Sequence, residues 1–272
     1  MTEPKRVRGS FDRPDCSIYY EVTGEGPAII FAHGLGGNHL SWFQQVAHFA
    51  PKHTCVTFAH RGFLPSTMPA GGPDPAVYAD DLAALVAHLG IGDHRLVAQS
   101  MGGWTSVEYA LRRPAGLKAV VLAATTGTLN PAGIPASFQP ALAAWQAASG
   151  PALELYFRDG IHPAAGARMA AEQPAMHLLY KHIDDQNAAL DKQALRLKLM
   201  HGRVRAPEEL AGAACPFLLI ANDEDMVIPP PGIEGVAAVN PNAAFARIAK
   251  AGHSGYFERP REFNAVVEGF FK

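Results

Sequence analysis

Cysteine is scarce in this chain: three in 272 residues, at Cys16, Cys55 and Cys215, odd in number and far apart. They cannot form a disulfide framework, and their spacing fits a reducing compartment. A basic surplus is also missing. Lys and Arg total 23 against 25 for Asp and Glu, a formal charge of −2 with an isoelectric point near 6.6. Such a chain has little with which to neutralise a phosphate backbone, so no nucleic-acid partner is expected. No apolar run approaches the ~18 residues of a membrane helix, so no membrane partner is expected either. The opening MTEPKRVRGSFDRPDC lacks the apolar stretch of a signal peptide. These absences predict a soluble, cytoplasmic protein. No HExxH pattern occurs, His177 and His182 stand off one helical face, and no Gly-rich stretch matches a phosphate loop. Neither a metal nor another cofactor is expected.

What is present is alternation. CSIYYEV (16–22), AIIFAH (28–33), HTCVTFA (53–59), RLVAQ (95–99) and LKAVVLAA (117–124) read as strands, several of them continuously apolar as in strands buried on both faces. Helical patterns lie between them, over Asn38–Phe49, over Pro75–Leu89, and from Ser100 to near Pro114. This order predicts a parallel sheet with helices on both faces. After Thr125 the pattern changes. Residues 129–210 hold no convincing strand, many alanines, and short amphipathic pieces broken by Pro and Gly. Strand-like text returns at PFLLIAN (216–222) and AAFARIA (243–249), before a last helix over Pro260–Phe271. The expected organisation is one α/β core in two parts, 1–128 and 211–272, with 129–210 inserted as a helical cap.

The sharpest chemical feature is RLVAQSMGGW (95–104), where a strand ends, Ser100 occupies the turn and a helix begins at once. Such a turn projects a Ser hydroxyl out of the sheet, and it needs small residues two before and two after the Ser, here Ala98 and Gly102. A Ser nucleophile needs a base, itself held by an acid. His253, on the Gly-flanked loop AKAGHSGYFERP (249–260), is the best placed of twelve histidines. FLLIANDEDMVIPP (217–230) offers Asp225 as the acid, with Asp223 as the alternative two residues earlier. The position after the strand ending at Ala124 reads Thr125-Thr126-Gly127 and holds no carboxylate. Two backbone N–H groups are expected to form an oxyanion hole. One belongs to Met101 and the other to Leu35 in the loop His33-Gly34-Leu35-Gly36-Gly37, which His33 is expected to brace.

The order Ser100, Asp225, His253, each on a loop after a strand, resembles the α/β-hydrolase superfamily over nearly the whole chain. The resemblance includes HG-x-G (33–36), HRGFLPS (60–66), the SMGG turn, D-x-x-x-P (225–229) and GHSGYFERPREF (252–263). Departures are Ala59 where the family has Asp, Leu64 where it has Gly, and Asn222 where a Gly precedes the acid. The resemblance implies a mostly parallel central sheet flanked by helices with an inserted helical cap. It is similar to small capped bacterial esterases, lactonases, haloperoxidase-like enzymes and C–C hydrolases. Dehalogenases and epoxide hydrolases of this fold use an Asp nucleophile, so Ser100 speaks against both.

The expected function is a serine hydrolase that cleaves a carboxylic ester or lactone of a small, largely apolar substrate through an acyl-enzyme. A C–C bond hydrolase of a β-diketone-type ring-cleavage product is one alternative, and a ligand-binding receptor on a hydrolase fold is another. Gly34, Asn38, His39, Trp42 and Trp104 are expected at the pocket floor. Cap residues such as Trp145, Leu155, Phe157, Met169, Leu178 and Leu179 are expected to roof it. The cap cations Arg158, Lys181, Arg196 and Lys198 read as a solvated face, with a substrate carboxylate as the other reading. The partner expected is a small molecule, and assembly into a homo-oligomer is left open.

Overall fold

The computed structural model describes residues 5–272 and gathers the apolar runs into one eight-stranded sheet. In chain order the strands are β1 (Arg6–Asp12), β2 (Ser17–Thr23), β3 (Ala28–Ala32), β4 (Thr54–Phe58), β5 (His94–Gln99), β6 (Leu117–Ala123), β7 (Phe217–Asn222) and β8 (Ala243–Ile248). Across the sheet they run β1-β2-β4-β3-β5-β6-β7-β8. β1 and β2 form an antiparallel hairpin, β2 meets β4 antiparallel, and every later pairing is parallel. β1 was not expected. Its sequence RVRGSFD buries only Phe11, so it carries no local strand signal and forms by full-length pairing with β2 at the sheet edge.

The helices are α1 (Phe43–Phe49), α2 (Tyr78–His88), α3 (Gly102–Leu111), α4 (Gln139–Arg158), α5 (Gly166–Glu172), α6 (Pro174–Asp185), α7 (Lys192–His201), α8 (Pro230–Ala238), α9 (Gly255–Glu258) and α10 (Pro260–Phe270). Alternate strand residues face opposite layers. Ile30, Val56, Leu96 and Leu219 pack with Leu82 and Leu85 of α2, Val107 of α3 and Ile233 of α8. Ile29, Phe31, Val97 and Leu218 pack with Phe49 of α1 and with Phe263 and Val267 of α10. Both faces are covered, which is why the central strands lack polar alternation.

α4–α7 all lie between β6 and β7, within the stretch read as an insertion. α4 differs from the broken pieces expected there: it runs 20 residues straight through Gly150 and Pro151. Its alanines favour helix, and packing on α8 outweighs the local breakers. α8 was also unread. Its prolines mark a helix start, while Gly232 and Gly235 hide the apolar period.

The strand order explains where a site can form. From β3 the chain steps outward to β4, then crosses back to place β5 on the other side of β3. The loops after β3 and β5 therefore diverge from adjacent strand ends and leave a crevice at that reversal. The loops after β7 and β8 open at the same end of the parallel sheet.

Candidate active site

Ser100 follows β5 at once and carries a left-handed backbone, φ 50°. That conformation costs an L-residue roughly 1–2 kcal/mol, and the surroundings hold it. Ser100 N–H donates to the Ala123 carbonyl at 3.1 Å, and its own carbonyl accepts from Gly103 N–H at 2.8 Å. The need for a small residue at 102 is direct: a Cβ there would lie 2.2 Å from the carbonyl oxygen of Ala32 in β3. Ala98 pairs with the same Ala32, so strand and helix pass closely on both sides of the turn.

His253 and Asp225 are brought together by the loops after β8 and β7. His253 Nδ1–H donates to Asp225 Oδ2 at 2.8 Å, with both side chains almost wholly buried. Asp225 Oδ1 accepts from Val227 N–H at 2.7 Å and from Ile228 N–H at 2.9 Å. Three donors thus converge on an acceptor-only carboxylate. Asp223 instead faces solvent beside Arg247, at 3.0 Å, and Glu224 takes a fork from Arg168. The His253 carbonyl accepts amide donors from Gln99 and Asn222, each at 3.2 Å. Asn222, a departure in the sequence, therefore holds the histidine loop; Gln99 was not singled out at all.

The loop after β3 is fixed by a buried imidazole. His33 Nδ1–H donates to the Gly34 carbonyl at 2.8 Å, and Nε2 accepts from His60 N–H at 3.0 Å. Burial pushes the His33 pKa down to about 3, so the ring is neutral wherever an ordinary histidine titrates. Leu35 and Met101 both line the cavity beside Ser100, and among the described residues neither N–H meets a protein acceptor.

The cavity that Ser100 and His253 share measures about 860 Å³, and residues of α4, α6 and α7 form much of its wall. Trp104 lines it, as expected. Asn38, His39 and Trp42 do not. Asn38 caps the turn before α1 and donates to Gln186, just after α6, at 2.9 Å, His39 lies beside Glu21, and Trp42 packs against Phe31 and Tyr256. Gly34 sits behind the wall, where a Cβ would strike Gln99 Oε1 at 2.2 Å. Of the cap apolars, Trp145 and Phe157 line the cavity, Met169 joins the core, and Leu155, Leu178 and Leu179 face solvent. The lining that sequence reasoning missed includes His162, Tyr180 and Arg203. A helical period shows that a face is buried without showing what it is buried against.

Residues of α4 and α6 also reach the loops that carry Asp225 and His253: Trp145 Nε1–H donates to the Asp225 carbonyl at 2.6 Å, and Tyr180 OH accepts from Ser254 at 3.1 Å.

A model of the alpha/beta hydrolase fold matches residues 27–260, and the chain belongs to that family. It is 30% identical to BpoC of Mycobacterium tuberculosis, named as a non-heme bromoperoxidase, over 94% of this chain and 97% of that one. It is 26% identical to 3-oxoadipate enol-lactonase 2 of Acinetobacter baylyi, over 95% and 94% of the two chains. Among solved structures, Est816, described as an N-acyl homoserine lactone degrading enzyme, superposes with a TM-score of 0.76 at 25% identity, over 96% of this chain and 100% of that one. The protein is an enzyme of the hydrolytic α/β fold. Among the described residues no helix is long and apolar enough to cross a membrane.

Proposed function

We propose that this protein hydrolyses carboxylic esters or lactones of small, largely apolar compounds through an acyl-enzyme on Ser100. The observation that carries the reading is the buried His253–Asp225 pair, 2.8 Å apart, whose histidine lines the same cavity as a Ser held at φ 50°. Ser100 Oγ attacks the carbonyl carbon while His253 Nε2 takes its proton. Asp225 keeps the proton on Nδ1 and stabilises the imidazolium. The N–H groups of Leu35 and Met101 receive the developing oxyanion. The leaving alcohol takes the proton back from His253, and water, activated by the same base, releases the acid. The lactone arm is supported by the enol-lactonase and the homoserine-lactone-degrading relative.

The test is a panel of p-nitrophenyl esters, aliphatic lactones and one ring-cleavage β-diketone. Turnover of esters or lactones is expected, and Ser100→Ala should lower kcat by roughly 10⁴–10⁶-fold with an unchanged circular-dichroism spectrum. Turnover of the diketone alone would replace this reading with C–C hydrolysis. Tight ligand binding without turnover of any of them would favour a receptor.

A further inference from the structure

The charges on the cavity wall are mostly positive, unlike those of the chain as a whole. Lys181, Lys192, Arg196 and Arg203 line it against one carboxylate, Asp184, in a protein whose formal charge is −2. Three of these cations have evident solutions. Lys192 pairs with Asp184 at 2.7 Å, Lys181 donates to the Gly160 carbonyl at 3.2 Å, and Arg196 is exposed to water.

Arg203 has none. It stands just after α7, its guanidinium 5.2 Å from the Trp104 ring centroid, and its buried Nε meets no hydrogen-bond partner. Arg205, two residues on, shows what this protein does with a structural arginine: it binds Glu108 at 2.8 Å and Glu209 at 3.0 Å. No carboxylate of the described residues is salt-bridged to Arg203. Partial burial lowers its pKa, as expected for a cation whose hydration is reduced and not replaced by a counter-charge. The face of Trp104 recovers only part of that loss. Trp104 is also four residues beyond Ser100 on α3, so about one helical turn separates the Ser from the ring beneath the guanidinium.

We infer that Arg203 binds a carboxylate of the substrate, so that the preferred ester or lactone carries an acidic group remote from the carbonyl under attack. This deepens the hydrolase reading of the same cavity and rests on it. A planar guanidinium can meet both carboxylate oxygens with parallel N–H donors, and a neutral substrate would leave it desolvated and unpaired. The apolar wall then serves the linker between the two ends.

The experiment compares the p-nitrophenyl monoester of glutaric acid with neutral p-nitrophenyl hexanoate, of matched length. In Arg203→Met the ratio of kcat/KM for the acidic over the neutral ester should fall roughly ten- to a hundredfold, and Arg203→Lys should restore part of it. A ratio unchanged within twofold would overturn the inference. Calorimetric binding of both esters to Ser100→Ala separates recognition from chemistry and needs no Arg203 variant to fold. Tighter binding of the acidic ester is expected there, and equal binding would overturn the assignment. If wild type hydrolyses neither ester while Ser100→Ala still prefers the acidic one, the hydrolase reading fails and the anion site stands.

Discussion

Asp223 and Asp225 are two residues apart and have opposite surroundings. Asp225 collects a histidine and two backbone donors in a buried loop, while Asp223 shares solvent with Arg247. Asp225→Asn should therefore lower kcat on the order of 10⁴-fold, by turning His253 to the wrong tautomer. Asp223→Asn should stay within a few-fold, and the reverse ranking in steady-state kinetics would contradict the assignment. Gly102 offers a second residue-scale test. A Cβ there meets backbone oxygen at 2.2 Å, whereas one on Gly71 meets nothing within 4 Å. Gly102→Ala should cost about 1–3 kcal/mol or more in urea unfolding, with Gly71→Ala near neutral. The order of Ser100, Asp225 and His253 was legible because each lies on the loop or turn that follows a readable strand. Arg203 was not legible, because nothing local distinguishes an arginine without a partner from Arg205 with two.

At the scale of elements, legibility followed burial. The strands covered on both faces read as apolar runs, whereas β1 is nearly all exposed and exists through its partner. α4 was misjudged because tertiary packing carried a helix across Gly150 and Pro151. Trp145 of α4 donates to the backbone carbonyl of Asp225, so α4 helps to set that loop. Trp145→Phe removes one hydrogen bond of about 1 kcal/mol. Its kcat toward a p-nitrophenyl acetate too small to reach the roof should fall by up to about tenfold. An unchanged kcat would mean that this contact has no bearing on the chemistry.

For the whole molecule, buried neutral imidazoles set the pH dependence. Burial lowers His33 to about 3, His60 well below its usual value, and His39 and His94 in the same direction. The unfolded chain takes up protons below about pH 6.5 that these folded rings refuse, so stability falls as pH drops from there toward 3. Glu258 opposes this with the other sign. Burial raises its pKa above 4.5, so its contribution weakens as pH rises through that range. Four rings against one carboxyl should win, and the urea midpoint should decline steadily between pH 7 and pH 5. A flat midpoint across that interval would mean that the rings protonate without unfolding. The β3–β4–β5 reversal brings the Leu35 loop to the Ser100 turn, while the loops after β7 and β8 deliver Asp225 and His253, and the proposed function rests on that convergence. Reaction with a small fluorophosphonate, followed by peptide mass mapping, tests that claim most directly. One adduct per chain is expected, on Ser100, abolished in Ser100→Ala and greatly slowed in His253→Ala. An adduct on another residue, or labelling that survives Ser100→Ala, would contradict it.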